Sequence, residues 1–333
     1  MTVQLDIAKL ARSVGKFPEQ PKPSAHRGSL RIGLVNNMPD GALIATEQQF
    51  NNLVKEATNG QIQLRLFYLP SLSRGPAATQ ILKERYRPIT DLYRDGIDAL
   101  IVTGNEPRAA RLDQEPYWPE MTTLIDWARF NTASTFWSCL AAHAAVLHLD
   151  KIERRRLPSK RSGAYLCQTN DVRGALPQSL LICHSRLNEV PKPYLEDAGY
   201  EILSQSIAGE VDIFTKATPS RFLFLQGHPE YDVESLGREY RRDVDRYLNG
   251  TREDYPAMPE NYFSEAATEE YLKFRDLAVE FRAPNLISSF PAPSLRTELT
   301  RDLAKSAAAI FAFWMEQISE AVAGRQQEPK RRA

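Results

Sequence analysis

Apolar residues fall into two rhythms along this chain. Short unbroken runs predict strands buried on both faces, each closed by turn residues: "LRIGLVNN" at 30–37, "IQLRLFYL" at 62–69, "IDALIVTGN" at 97–105 and "ASTFWSC" at 133–139. Between them the spacing turns helical. "GALIATEQQFNNLVKEA", 41–57, sets Leu43, Phe50 and Val54 on one face, and further helices are expected over 77–86, 118–131 and 140–150. Strands alternating with helices predict an α/β three-layer sandwich with a mostly parallel central sheet. The second half adds runs at 179–190, 200–206, 211–217 and 221–232, the last being "RFLFLQGHPEYD", then a long charged helix, "ESLGREYRRDVDRYLNG". The last third reads as mostly helical, interrupted by long loops around "YPAMPENYF" and "FRAPNLISSFPAPS". Residues 1–28 are polar and proline-punctuated and read as an arm. Residues 29–324 form the main domain with a helical C-terminal extension, and 325–333 a basic tail.

Ligands of such sheets bind beyond the carboxyl ends of the strands. Asn36 to Pro39, Gly104 and Cys139 sit at those ends. Bulk properties narrow the chemistry only a little. Lys+Arg and Asp+Glu are both 42 in 333 residues, so nothing favours nucleic acid or an anionic membrane. No apolar run reaches the roughly 18 residues a membrane helix needs, and the N-terminus has no signal-peptide core. Three cysteines form no disulfide framework and match no metal spacing, so no metal is expected and a cytoplasmic setting is.

The stretch "STFWSCLAAHAAVLHL", 134–149, puts Cys139 at a strand-to-helix turn. There the side chain stands on a sharp bend and the helix N-terminus favours a thiolate. Taken alone, Cys139 reads more readily as a buried, inert residue, the commoner fate of a cysteine. "FLFLQGHPEYD" changes the balance: an apolar strand runs into His228 and Glu230, a base and the acceptor that would orient it. The combination points to a Cys139–His228–Glu230 triad. His143 and His148 read as packing residues, His26 belongs to the arm, and His184 reads as either a substrate contact or a structural hydrogen-bonding residue.

With these residues in hand, the sequence resembles the class I glutamine amidotransferase-like superfamily. Within it, the chain looks like the homoserine O-acyltransferases of methionine biosynthesis. The resemblance is carried by "LVNNMPDGALIATEQQF", "DALIVTGNEP", "KRSGAY", "HSRLNEV", "GHPEYDVESLGREYRRD" and "PENYF", in family order over most of the chain. It implies a flavodoxin-like fold and ping-pong acyl transfer from acyl-CoA, a co-substrate, with no cofactor. Cys139 would become the acyl-enzyme, with His228 as base. Backbone N–H groups at Leu140 and Met38 would serve the oxyanion, and Arg242 the acceptor's carboxylate. Ser162 in "KRSGAY" and His184 join as substrate-binding candidates. Partners are small molecules, and members are commonly homodimers.

The sequence departs from the family pattern in three places. Asp40 and Gly41 stand where the family has two lysines after Met-Pro. "LAKSAAAIFAFWM", 303–315, keeps Phe311 and Trp314 but lacks the family's Arg and His. Arg108 and Arg111 occupy the loop that, by the resemblance, sets acyl size; they read either as partners of a succinyl carboxylate, which favours succinyl over acetyl, or as exposed surface residues. Serine as acceptor, amide hydrolysis on the same fold, and a non-catalytic metabolite binder are the competing readings. The amidotransferase pattern of glycines beside the cysteine is missing at Ser138, Leu140 and Ala141.

Overall fold

The computed structural model describes residues 30–170, 174–292 and 294–327. The arm with His26 and residues 328–333 lie outside them. An eight-stranded sheet runs in the order β3-β2-β1-β4-β5-β11-β10-β8. Its strands are β1 (Ile32–Val35), β2 (Arg65–Tyr68), β3 (Arg87–Pro88), β4 (Ala99–Val102), β5 (Ser134–Ser138), β8 (Glu201–Ile202), β10 (Ile213–Ala217) and β11 (Arg221–Leu225). From β3 to β11 the neighbours are parallel; β10 is antiparallel to β11 and β8. All residues of β1, β4 and β5 are buried, which is why these strands read as unbroken apolar runs.

Helices cover both faces. Trp137, Phe222, Phe224 and Phe214 pack with α4 (Trp118–Asn131) and α5 (Leu140–Asp150). Ala141, Ala142, Ala144 and Ala145, all buried, let α5 lie close on the sheet. The other face turns Phe136 toward Phe50 of α1 (Leu43–Ala57) and toward Phe311 and Trp314 of α9 (Leu299–Gln327). The two aromatics that the C-terminal stretch retains are thus core residues, fully buried. Two short helices, α2 (Pro76–Arg85) and α3 (Ile89–Asp95), complete the first half.

A second, antiparallel sheet of order β7-β6-β9 stands apart from the main one. It comprises β6 (Arg155–Thr169), β7 (Ser179–Glu189) and β9 (Ser204–Ser206). The runs at 179–190 and 200–206 are therefore only partly main-sheet strands: β7 and β9 leave it. α6 (Lys192–Asp197) lies between β7 and β8, and α7 (Ser235–Leu248) and α8 (Glu265–Phe281) follow β11. Tyr240, Phe263, Tyr271 and Phe274 form a separate core between α7, α8 and the 3-10 turn Pro284–Ser289. Among the described residues no helix is long and apolar enough to cross a membrane.

Candidate active site

β5 and β11 are parallel neighbours, with Ser138 opposite Leu225. Their carboxyl ends deliver whatever follows each strand to one place. Cys139 follows β5 at φ 52°, ψ −116°, a sparsely populated conformation for a side-chain-bearing residue. The bend presents the sulfur at the tip of a strand-to-helix turn. It is held by the Cys139 N–H donating to Leu225 O at 2.7 Å and by Cys139 O accepting from Ala142 N–H at 3.0 Å. Cys139 is partly exposed, whereas Cys167 and Cys183 are buried. Burial pushes the thiols of the latter two up, away from the reactive thiolate.

Gly227 and His228 follow β11. The Gly227 N–H donates to Asp212 Oδ1 at 2.9 Å. The His228 N–H donates to Cys183 O at 2.8 Å. A Cβ on Gly227 would lie 2.6 Å from Ile182 Cγ2, so no side chain fits where the backbone passes. His228 Nδ1 sits 2.9 Å from Glu230 Oε1. The same oxygen accepts from Ser138 Oγ at 3.2 Å. Tyr231 stacks on the imidazole, ring centroids 4.2 Å apart. Burial opposes charge on His228, but Cys139 and Glu230 outweigh it, and its pKa is raised well above the ordinary value. The imidazole lies within electrostatic reach of Cys139, and Glu230 holds its Nδ1.

A cleft of about 240 Å³ opens over the sulfur, lined among others by Met38, Gly104, Leu140, His228 and Arg242. Gly104 is required by close approach: a Cβ there would come within 2.8 Å of the Leu140 nitrogen. Leu140 opens α5, so its N–H has no acceptor within the helix. The Met38 N–H is turned to Asn36 Oδ1 at 3.2 Å. Its loop is pinned by Arg74, which donates to Met38 O and to Asn36 O. Asp40, standing in place of a lysine, pairs with Arg74 at 3.2 Å.

The other sequence candidates scatter. Arg242 lines the cleft and pairs with Asp243 at 2.8 Å. Arg108 is exposed and lines an adjoining recess, with its backbone N–H bound to Glu115 Oε1 at 2.6 Å. Arg111 is exposed, outside the cleft, and pairs with Asp113 at 2.9 Å and Glu153 at 2.7 Å. His184 is buried; its Nδ1 accepts from Arg186 Nε at 3.2 Å and its Nε2 lies 3.3 Å from Asp212 Oδ1, which are structural contacts. Ser162 is buried on β6, its carbonyl accepting from the Glu260 N–H at 2.9 Å, and it does not line the cleft. His143 Nε2 meets Gln226 Oε1 at 3.0 Å and His148 Nε2 meets Asp126 Oδ1 at 2.9 Å.

The small sheet supplies cleft residues that sequence reading did not single out: Lys160, Ser185 and Arg186, with Glu239 opposite on α7. The strings "KRSGAY" and "HSRLNEV" held that signal. Glu239 accepts from Tyr231 and Ser185, while Lys160 reaches Asp243 at 2.9 Å. Burial would raise the Glu239 carboxyl, yet Lys160 and these hydroxyls prevail and lower it. A second Cys–His–acid group, Cys167, His184 and Asp212, lies within 4.8 Å and is buried. Arg186 donates to its histidine, and the Gly227 N–H occupies an Asp212 oxygen. Those bonds turn the group toward structure and leave Cys139 as the partly exposed thiol.

A family model described as homoserine O-succinyltransferase matches residues 18–322. The chain is 47% identical over 323 residues to the homoserine O-succinyltransferase of Rhodopseudomonas palustris, covering 96% of this chain and 97% of that protein. It is 47% identical over 296 residues to that of Bradyrhizobium japonicum, covering 87% and 90%. A solved glutamine amido transferase from Methylobacillus flagellatus aligns at TM-score 0.49 and 14% identity, covering 86% of this chain and 94% of that one. A likeness that weak adds nothing to the strand order. On the family match and these identities, the chain belongs to the homoserine O-succinyltransferase family.

Proposed function

We propose that the protein transfers a succinyl group from succinyl-CoA to the hydroxyl of L-homoserine through an acyl-Cys139 intermediate. The observation that carries this is the convergence of the β5 and β11 ends. It sets a positive-φ cysteine against a buried His228–Glu230 pair, inside a cleft that holds Arg242. The relatives' names supply homoserine and the succinyl group; the CoA thioester as donor is part of the proposal.

In the first half-reaction the Cys139 thiolate attacks the thioester carbonyl. A new carbon–sulfur bond forms, and negative charge gathers on the former carbonyl oxygen. The Leu140 N–H, at the start of α5, supports that oxygen. Collapse breaks the bond to CoA, and the departing sulfur takes a proton from His228. In the second half-reaction His228, held by Glu230, removes the hydroxyl proton of homoserine as that oxygen attacks the acyl-cysteine. Collapse expels Cys139 as thiolate beside the restored imidazolium. Arg242, half-exposed above the cleft, meets the acceptor's carboxylate.

The test is product formation. Protein, succinyl-CoA and L-homoserine should give CoA and O-succinylhomoserine, and Cys139→Ala should give neither. Turnover with L-serine but not homoserine, or turnover surviving Cys139→Ala, contradicts the proposal.

A further inference from the structure

One wall of the cleft carries polar atoms that no described residue satisfies. Arg154 lines the cleft, is half-buried, and makes no hydrogen bond or ion pair among the described residues. Arg186 lines the same cleft from β7 and is only 4% exposed. Its Nε and Nη1 are used by His184 and by Asn188 O, and Nη1 also lies 3.9 Å from Glu189 Oε2, but Nη2 is buried and unpartnered. His143 contributes a third such atom, Nδ1. Its Nε2 faces Gln226 Oε1, whose amide nitrogen is fixed on Val211 O at 2.7 Å, so Nε2 carries the proton.

The other arginines of this cleft are occupied. Arg242 pairs with Asp243, Arg246 with Glu106, and Arg252 donates to Asp254 O. A buried guanidinium nitrogen left without an acceptor is costly, and a carboxylate is the partner whose geometry answers a fork of N–H donors. Burial depresses the proton affinity of both Arg154 and Arg186, and Arg154 lies within electrostatic reach of Cys139.

We infer that Arg154 and Arg186 form the subsite for the free carboxylate of a dicarboxylic acyl group carried on Cys139. This rests on the acylation of Cys139 proposed above. It assigns to this wall the anion-binding task that the sequence placed on Arg108 and Arg111, and it leaves Arg242 for the acceptor.

The experiment omits the acceptor and follows acylation of the full-length protein by mass. Two donors are compared, succinyl-CoA and butyryl-CoA, which has the same chain length with a methyl in place of the carboxylate. Both carry identical CoA phosphates, so contacts to CoA cancel in the ratio. Wild type should take up succinyl faster than butyryl by about 10- to 100-fold, the worth of a charge-assisted hydrogen bond. In Arg154→Gln that preference should collapse by a similar factor, and Arg154→Lys should restore part of it. A loss equal for both donors places Arg154 on CoA and overturns the assignment. So does an undiminished preference in Arg154→Gln. Failure of wild type to accept either acyl group overturns the acylation reading beneath it, and this one with it.

Discussion

Glu230→Gln separates orientation of the base from integrity of the fold. The carboxylate is buried, with Oε1 2.9 Å from His228 Nδ1. Glutamine keeps the length and an oxygen acceptor but removes the charge. A hydrogen bond to a charged partner is worth about 1.5–3 kcal/mol, which corresponds to about 10- to 150-fold in rate if it supports the transition state. The proton on His228 also loses one of the two attractions that hold its pKa up, so its titration should fall. Stability should move the other way. Glu230 Oε2 is buried with no hydrogen-bond partner, and the neutral amide avoids the desolvation of an incompletely satisfied charge. The assay pairs acylation by succinyl-CoA with urea unfolding. Acylation should drop at least 10-fold while unfolding free energy stays level or rises by about 1 kcal/mol. A drop under about 3-fold would refute the orienting role, and activity and stability falling together would reduce Glu230 to a folding residue.

Arg242→Ala should raise the KM for the amino-acid acceptor and spare acylation by the CoA donor; an equal fall in both steps removes its assignment. Phe311→Ala opens the aromatic layer beneath β5, where Phe311 is fully buried 5.2 Å from the Phe136 ring, and should cost about 3–5 kcal/mol in urea unfolding; a cost near zero would detach α9 from the core. Asp212 is buried, and burial raises its carboxyl to about 6. Because the folded state holds that proton more tightly than the unfolded chain, its contribution is full below the ordinary carboxylate pKa and is lost as pH climbs through about 6. Asp212→Asn should therefore gain on wild type by about 3 kcal/mol between about pH 4 and about pH 7, and a flat difference would sink that account.

The parallel core was legible because its strands are buried on both faces, so β1, β4, β5 and β11 announce themselves as unbroken apolar runs. The candidate triad could be proposed from sequence because the ends of such strands are where ligands bind, and Cys139 and His228 follow two of them. β6 was not. Its first half, from Arg155 to Lys160, is largely solvent-exposed and charged, so neither alternation nor an apolar run marks it. With β6 unseen, β7 and β9 looked like further strands of one sheet. Lys160, Arg154 and Arg186 consequently had no address at the cleft. Arg108 and Arg111 were placed by loop position alone, and the exposed carboxylates beside Arg111 could only be found in three dimensions. His184 resembled a site residue because it lies in a recognisable string, yet its partners, Arg186 and Asp212, belong to a buried support under the Gly227–His228 backbone.

The central claim is that Cys139 carries the acyl group. Intact-protein mass after mixing with succinyl-CoA, with acceptor omitted, tests it most directly. The account predicts a gain of one succinyl group, mapped to Cys139 and not to the buried Cys167 or Cys183, absent in Cys139→Ala and discharged by L-homoserine. No gain in the wild type, or a gain that persists in Cys139→Ala, would contradict it.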